Sequence, residues 1–536
     1  MADPHNNTAD PGADRYAALT PAGKLLAQVY GVIAPQPVGV KRARRIFSEA
    51  GITLDGRRLS EGDIRHVNSE LIAAGIAMRL DAAGNKGVCA TPHCAVELTR
   101  RAHEDGRMQR ILAAFETTSP GYGADPYLYD ILFRCYVVGG DFDHLDKLTA
   151  GDLTADDWRM FAEPLATDVL RTLPERYIDL ALTGCLRHVV ATAADPEPVV
   201  QGCQHLTGRP ERHAADIAYI RVLQGRFDEA EGVFAGLPPD AQASRAARTG
   251  LAATRGLVAL LRGDSLAAWR EIDAALAAEK AGTRKRNAFP DHAAFALSLL
   301  ALVRLDTPES LALLNQLLRV AERQGIQRYD ELSLVADAAR LEAGHETFGF
   351  GSTGSALETL FDGFRDCWTR SYYRNLSKWL ERLNAIRHRA SVNGFKWVEA
   401  ECVSTLHRFA ELRNDLGERV ALPEELPDPA PAHAELGTRT LTVLVEPLAE
   451  WERSLKALEQ LAYDANQKEQ NRRTASTPVE KRLVWEVDDG GYEVSLSPRE
   501  QRRNKNGTWS KGRRVALKRL ATQAGSLGFL LDEDVA

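Results

Sequence analysis

Two stretches of the chain repeat the pattern Leu-x-Gly-x-x-x-x-Ala at an interval of 38 residues. They are "VLQGRFDEAEGVF" (222–234) and "LLRGDSLAAWREI" (260–272), with glycines at Gly225 and Gly263. Glycine permits a tight turn between two helices, and the alanine lets the helix backbones approach. Each pair can then bury its apolar face against the next. The repeat therefore predicts a solenoid of stacked helix pairs.

A looser copy, "VVGGDFDHLDKL" (137–148), extends the pattern through Gly140 and Phe142. The repeat resembles divergent tetratricopeptide repeats, and that resemblance implies an array that binds proteins or couples domains. A generic helical bundle is the alternative. On either interpretation, residues 106–345 are predicted to be almost entirely helical.

The length of 536 residues exceeds what one hydrophobic core supports, so we expect three or four domains. The predicted fold class is mostly α, with a winged-helix-like N-terminal domain, the repeat array, and a small α+β C-terminal domain containing a β-hairpin. The predicted segments are a disordered lead (1–15), the winged-helix-like domain (16–105), the array (106–345), a helical extension (355–420), a Pro/acidic linker (421–437) and the C-terminal domain (438–536).

The N-terminal domain is predicted from the order of its elements. Three helical patterns precede "IAMRLDAAGNKGVCAT", which reads as two short strands around a Gly-Asn turn. Ser60 and Asp63 fit a capping box at the start of the third helix. That helix carries more acids than bases, whereas the second contains "KRARR". The charge balance favours protein contact or a solvated face, and phosphate contact through Lys41, Arg42, Arg44 and Arg45 is the alternative.

Charge and cysteine usage limit the function classes. The net charge is −7, so any binding of nucleic acid must be local. The seven cysteines are scattered and odd in number, which favours a reducing cytoplasm over a disulfide framework. The longest apolar run, "AAFALSLLALV" (293–303), is too short to cross a bilayer. We therefore expect a cytoplasmic protein that does not contact membranes.

No catalytic motif stands out in the sequence. No G-x-x-x-x-G-K-[ST] occurs, and "GFGSTG" (349–354) follows a predicted helix where a dinucleotide site needs a strand. "CATPHC" places three soft ligands close together, but no second pair has zinc spacing. We expect no catalytic residue, no metal and no cofactor in this chain. We expect buried structural roles for Cys185, His188, Cys203 and His205.

A strongly basic segment lies near the C-terminus. "SLSPREQRRNKNGTWSKGRRVALKRL" (495–520) holds nine Lys or Arg against one acid, with one aromatic between the basic halves. Such a segment can clamp phosphates and stack on a base, or pair with acidic groups of a neighbouring domain. The candidate nucleic-acid-binding residues are Arg499, Arg502, Arg503, Lys505, Trp509, Lys511, Arg513, Arg514 and Lys518.

The pattern "L-S-P-x-E-Q…N-G-T-W-S-K-G-R-x-V-A-L-K-R-L", preceded by "RLVWEV", resembles a segment of large bacterial Swi/Snf-type helicase-like ATPases. "LRGDSLAAWREIDAAL…RKRNAFP…FALSLLAL" (261–303) resembles the helical region of the same proteins. The resemblance implies a pre-motor region of an ATP-driven DNA translocase. The motor would follow the tail motif, so we expect an N-terminal fragment or a split subunit.

The partners implied are a Swi/Snf-type motor domain or subunit, other proteins bound by the repeats, and DNA bound by the basic tail. The resemblance does not assign ATPase activity to these residues. The alternative function is a free-standing adaptor or transcription regulator of the winged-helix plus repeat type.

Overall fold

The computed structural model describes most of the chain up to residue 324 and several segments beyond it. The described residues are 15–82, 85–118, 127–150, 153–285, 288–324, 335, 383–415, 429–439, 481–489, 494–502 and 513–514. They are mostly helical, as expected. The chain divides into two compact units, Met1–Val189 with Pro196–Pro210 and Val190–Asp195 with Glu211–Ala536.

The first unit begins with three helices and a β-hairpin. The helices are α1 (Pro21–Ile33), α2 (Val40–Glu49) and α3 (Glu61–Ala73), and the antiparallel strands are β1 (Ala77–Ala82) and β2 (Asn85–Ala90). Asn85, which we placed in the turn between the strands, pairs with Ala82 and belongs to β2. An isolated bridge joins Val38 to Val88.

Local capping defines the starts of α1 and α3. Thr20 Oγ1 accepts from the Gly23 N–H at 3.0 Å, and the next residue, Pro21, has the backbone angle that a first helical turn needs. At α3 the predicted capping box is confirmed, with Asp63 N–H donating to Ser60 Oγ and Ser60 N–H donating to the Asp63 carboxylate. The whole C-terminal half of α1 is buried, and not one face alone.

The first unit continues through helices that extend the same core. They are α4 (Pro92–Glu104), α5 (Met108–Thr118), α6 (Leu128–Gly139), α7 (Phe142–Thr149), a 3-10 helix (Ala155–Phe161), α8 (Thr167–Arg171), α9 (Glu175–Thr192) and α10 (Glu197–His205). Ile111 and Phe115 from α5 and Ile131 from α6 belong to the core cluster that also contains α1. The rings of Phe133 and Trp158 pack edge to face, with their centroids 5.2 Å apart.

The second unit contains the two strong copies of the repeat. Its helices are α11 (Ala214–Leu223), α12 (Phe227–Ala235), α13 (Pro239–Gln242), α14 (Arg245–Leu261), α15 (Ser265–Thr283), α16 (Ala293–Ser298), α17 (Leu300–Leu305) and α18 (Pro308–Arg323). Gly225 and Gly263 lie between paired helices with φ of +75° and +84°. Ala230 and Ala268 are fully buried. The predicted turns at Gly225 and Gly263 are observed, and the crossing role of the two alanines stays a prediction.

Later segments of the second unit are α19 (Lys396–Asp415), α20 (Pro429–Leu436) and the strands β3 (Lys481–Asp489), β4 (Val494–Arg502) and β5 (Arg513–Arg514). Residues 429–436, which we assigned to the linker, form a helix that packs against α19. The rest of the linker, "GFGSTG" and the predicted tail helix before β3 lie outside the described residues.

A buried histidine predicts acid sensitivity of the second unit. His292 Nδ1 accepts from the Ala294 N–H at 3.1 Å and caps α16, so this nitrogen must be unprotonated. Burial lowers the pKa of His292, and nearby Asp216 and Asp291 oppose but do not cancel that effect. Below about pH 6.5, the ordinary histidine pKa, the unfolded chain therefore binds more protons than the folded one.

We expect the free energy of unfolding of the second unit to fall as pH drops below about 6.5, with a slope of at most about 1.4 kcal/mol per pH unit from this residue. Urea unfolding from pH 7.5 to 5 measures the slope. His292→Asn keeps an acceptor at the cap and should flatten it. The exposed His388→Gln variant should leave it unchanged. Equal slopes in all three proteins would contradict the assignment.

Candidate nucleic-acid interface

The basic segment forms part of a three-stranded sheet of order β3-β4-β5. β3 and β4 are antiparallel, which confirms the predicted hairpin. Pairing between β3 and β4 continues past Pro498 to Arg502. Among the residues that the structure describes, β5 pairs with β4 at Arg499 and Glu500.

The register places like charges opposite each other. Lys481 pairs with Arg502, and Arg499 pairs with Arg514. Glu500, the acid of the segment, pairs with Arg513. Like charges directly opposite on neighbouring strands destabilise a sheet. A bound polyanion would offset that repulsion.

Three arginines share one face of this sheet. Arg499 and Gln501 lie two residues apart on β4, and successive residues of a strand alternate between faces. Arg514 is opposite Arg499, and Arg482 is opposite Gln501, so both lie on the same face as Arg499. A row of arginines at strand spacing suits a phosphate backbone, because each guanidinium can form two parallel hydrogen bonds to phosphate oxygens.

Sequence reasoning missed Lys481 and Arg482. These residues precede the apolar strand "LVWEV", so we treated them as the start of the hairpin. Their positions opposite Arg502 and Gln501 depend on the strand register, which no local sequence pattern marks. Of the predicted binding residues, Arg499, Arg502, Arg513 and Arg514 lie on β4 and β5. The others, namely Arg503, Lys505, Trp509, Lys511 and Lys518, lie outside the described residues.

The second predicted basic patch lies on α2. Lys41, Arg44 and Arg45 are exposed. Arg42 points inward, with its guanidinium carbon 4.8 Å from the ring centre of Phe115. A cation stacked on an aromatic ring is partly desolvated and held in place. The exposed part of the patch is therefore three residues, not four.

Arginines around α3 compensate its acids. Glu61 is 3.7 Å from Arg44 and 3.3 Å from Arg65, and Asp63 is 3.6 Å from Arg57. The Ser60 N–H, and then its hydroxyl, lower the pKa of Asp63. Such exposed pairs contribute little to stability. They nevertheless cancel the negative charge that argued against nucleic-acid contact at α3. Arg57 and Arg58, in the loop before α3, were missed as members of this surface because no helical pattern includes them.

The cysteines and histidines that we considered as metal ligands differ in burial. Cys89 and Cys94 are buried, whereas His93 is exposed. Burial raises the pKa of Cys89 to about 11 and that of Cys185 to about 12, so both thiols stay protonated. Cys203 is also buried. His188 is half-buried, with its Nε2 3.6 Å from the Glu163 carboxylate, whereas His205 is exposed, so the buried role predicted for His205 is wrong. Within the described ranges, no group of three His, Cys, Asp or Glu side chains is placed to hold a metal ion.

Comparisons with known proteins do not name a family for this arrangement. No family model, curated protein or solved structure matches the chain. Across the part of the chain that the structure describes, every helix is too short or too polar to cross a membrane.

Proposed function

We propose that this chain is a non-catalytic regulatory and docking region of a Swi/Snf-type ATP-dependent DNA translocase, in which the β3–β5 sheet contacts the DNA backbone. The observation that carries the proposal is the register of that sheet, which brings Arg482, Arg499 and Arg514 to one face. The motor belongs to a partner domain or subunit, and no cofactor is assigned to this chain.

The helical units supply the docking function in this proposal. α14 packs on α15 and on α11, and each repeat pair turns at a glycine. We interpret these pairs as tetratricopeptide-like. Stacked helix pairs present extended surfaces that bind other proteins without doing chemistry. The expected occupant is the motor or another protein of the same assembly, and the expected compartment is the cytoplasm.

A second candidate function is a free-standing adaptor or transcription regulator that contacts DNA through its N-terminal domain. The order of α1, α2, α3, β1 and β2, with Val38 bridged to the hairpin, supports a winged-helix-like interpretation. The ion pairs that cancel the charge of Glu61 and Asp63 favour this candidate. It predicts phosphate contacts by the exposed Lys41, Arg45 and Arg58.

Charge reversal on the sheet tests the first proposal. We expect Arg482→Glu, Arg499→Glu and Arg514→Glu together to weaken binding of the full chain to a mixed-sequence duplex at least about tenfold at low salt, since each phosphate contact contributes about 0.9 to the salt slope. The slope of log Kd against log salt concentration should decrease by about three. Fluorescence anisotropy of a labelled duplex measures both quantities.

The matched control reverses exposed cations on the helices of the same unit. Arg248→Glu, Arg270→Glu and Lys280→Glu change the net charge equally and should leave the slope unchanged. Arg502 and Arg513 lie on the other face of the sheet from Arg499, so reversing them together with Arg503 and Lys511 should weaken DNA binding less than the sheet variant does. If Lys41→Glu, Arg45→Glu and Arg58→Glu instead abolish binding while the sheet variant has no effect, the adaptor function replaces the first proposal.

Association with a motor is tested by purifying the tagged chain from its native host at low and high salt. The translocase proposal predicts that an ATPase with a helicase core co-purifies. Recovery of the chain without any such ATPase under both conditions would count against it, even if DNA binding holds.

A further inference from the structure

The residues that follow α20 lie along the turns of the helical repeat. The Arg439 N–H donates to the Leu261 carbonyl, at the end of α14, over 2.6 Å. A Cβ placed on Gly263 would lie 2.5 Å from Nε of Arg439. A Cβ placed on Gly225 would lie 2.7 Å from Cδ2 of Leu436. Both repeat glycines are thus covered by one short segment, 433–439, which we call the strap.

Buried polar contacts hold the strap to α19. His433 Nε2 lies 3.1 Å from Ser404 Oγ, and His433 Nδ1 lies 3.0 Å from Thr438 Oγ1. All three side chains are buried. Gly437, at φ +61°, ends α20 and turns the chain toward α14. The strap therefore combines a helix end, which presents Leu436, with a short extended piece, which presents Arg439.

The two covered turns offer different chemistry. At Gly225 the absent side chain leaves space that Leu436 fills. At Gly263 the missing side chain admits Arg439 next to the C-terminus of α14, where the helix dipole favours a cation and the Leu261 carbonyl accepts the backbone donor. Leu436 and Arg439 are three residues apart, and they fit two turns that are 38 residues apart in sequence.

We propose that the turn edge of the repeat, formed by Gly225, Gly263 and the Leu261 carbonyl, is a recognition surface for a Leu-x-x-Arg segment at a helix end, and that the strap is its in-chain occupant. The repeat glycines then have two roles: they allow the positive-φ turn, and they leave the space that the bound leucine or arginine occupies. A partner that uses this surface must first displace the strap.

The third, looser copy of the repeat provides a matched control. Gly140 also has positive φ, at +69°, but no described atom would lie within 4 Å of a Cβ there. Gly140→Ala therefore reports the backbone cost alone. Gly263→Ala adds the clash with Arg439, and Gly263→Ala combined with Arg439→Ala removes that clash again.

Hydrogen exchange in the full chain tests the in-chain contact. We expect Gly263→Ala to lower the protection of residues 433–439 at least tenfold, and Gly140→Ala to leave it unchanged. The loss of stability in Gly263→Ala should shrink to that of Gly140→Ala when both are measured on an Arg439→Ala background. The assignment would be overturned if Gly263→Ala left the protection of residues 433–439 unchanged and if the stability losses of Gly263→Ala and Arg439→Ala were additive.

A peptide of residues 429–439 tests recognition directly. It should bind the full chain that carries Leu436→Ala and Arg439→Ala, in which the surface is open, at least tenfold more tightly than it binds the wild type. Adding Gly225→Ala and Gly263→Ala to the open chain should abolish binding. Equal binding to the open and wild-type chains, or binding to neither, would overturn the recognition surface.

Discussion

Arg134→Met is expected to destabilise the first unit by about 3 kcal/mol. Arg134 is 2 % exposed, and its Nη2 lies 3.0, 2.9 and 2.6 Å from the carbonyl oxygens of Gly31, Val32 and Ala34. Its Nε donates to Thr99 Oγ1 at 3.1 Å. Arg134 thus donates to carbonyls at and just beyond the C-terminus of α1, where donors within the helix run out. Methionine would fill the space but remove the guanidinium donors from these carbonyls.

The measurement is amide exchange in the C-terminal half of α1, which reports local opening free energies. Burial lowers the pKa of Arg134, because a desolvated cation is disfavoured, so the carbonyl contacts must offset that cost. Arg134→Lys, with a single ammonium, should recover part of the loss. Arg171→Met removes an exposed arginine of the same unit and should cost under about 0.5 kcal/mol. A loss in Arg134→Met no larger than in Arg171→Met would contradict the capping role.

Gly184→Ala is expected to destabilise the same unit by about 2 kcal/mol, because overpacking a close contact typically costs about 1–3 kcal/mol. Gly184 lies in α9 against the 3-10 helix, and an added Cβ would overlap the Ala155 carbonyl oxygen and lie 3.0 Å from Cβ of Trp158. Trp158 is fully buried and packs against Phe133 and Phe161, so it cannot move aside.

Replacing a helical glycine that has no close neighbours should stabilise the protein, the opposite of the effect expected at Gly184. No described atom would lie within 4 Å of a Cβ at Gly232 in α12. Gly232→Ala should therefore stabilise its helix by about 0.5–1 kcal/mol through helix propensity alone. Thermal unfolding of the two variants against wild type should show shifts of opposite sign. Shifts of the same sign would show that the contact with Ala155 does not decide the effect.

Local features of the fold could be predicted from sequence where a residue type has one dominant structural use. The Ser60–Asp63 capping box, the turns at Gly225 and Gly263 and the β3–β4 hairpin are examples. "AAFALSLLALV" was expected to form one buried helix, and it is buried but divides into α16 and α17 at Leu299. Composition predicts burial but does not locate such a break.

Long-range contacts could not be predicted from sequence. The role of Arg134 depends on carbonyls about 100 residues earlier, and no local pattern marks it. Most of the strap was assigned to the linker 421–437 because prolines and acids dominate that stretch, and Arg439 was assigned to the C-terminal domain, yet Leu436 and Arg439 fit turns far upstream. The cation pairs of the sheet required the register, which depends on the turn residue at which the hairpin reverses.

The central claim is that the β3–β5 sheet contacts the DNA backbone. The most direct measurement is photo-crosslinking of the full chain to a duplex carrying a crosslinking group on its backbone, followed by peptide mapping. The account predicts crosslinks within residues 481–514 that disappear with Arg482→Glu, Arg499→Glu and Arg514→Glu. Crosslinks confined to α2 and α3, or none at low salt, would contradict it.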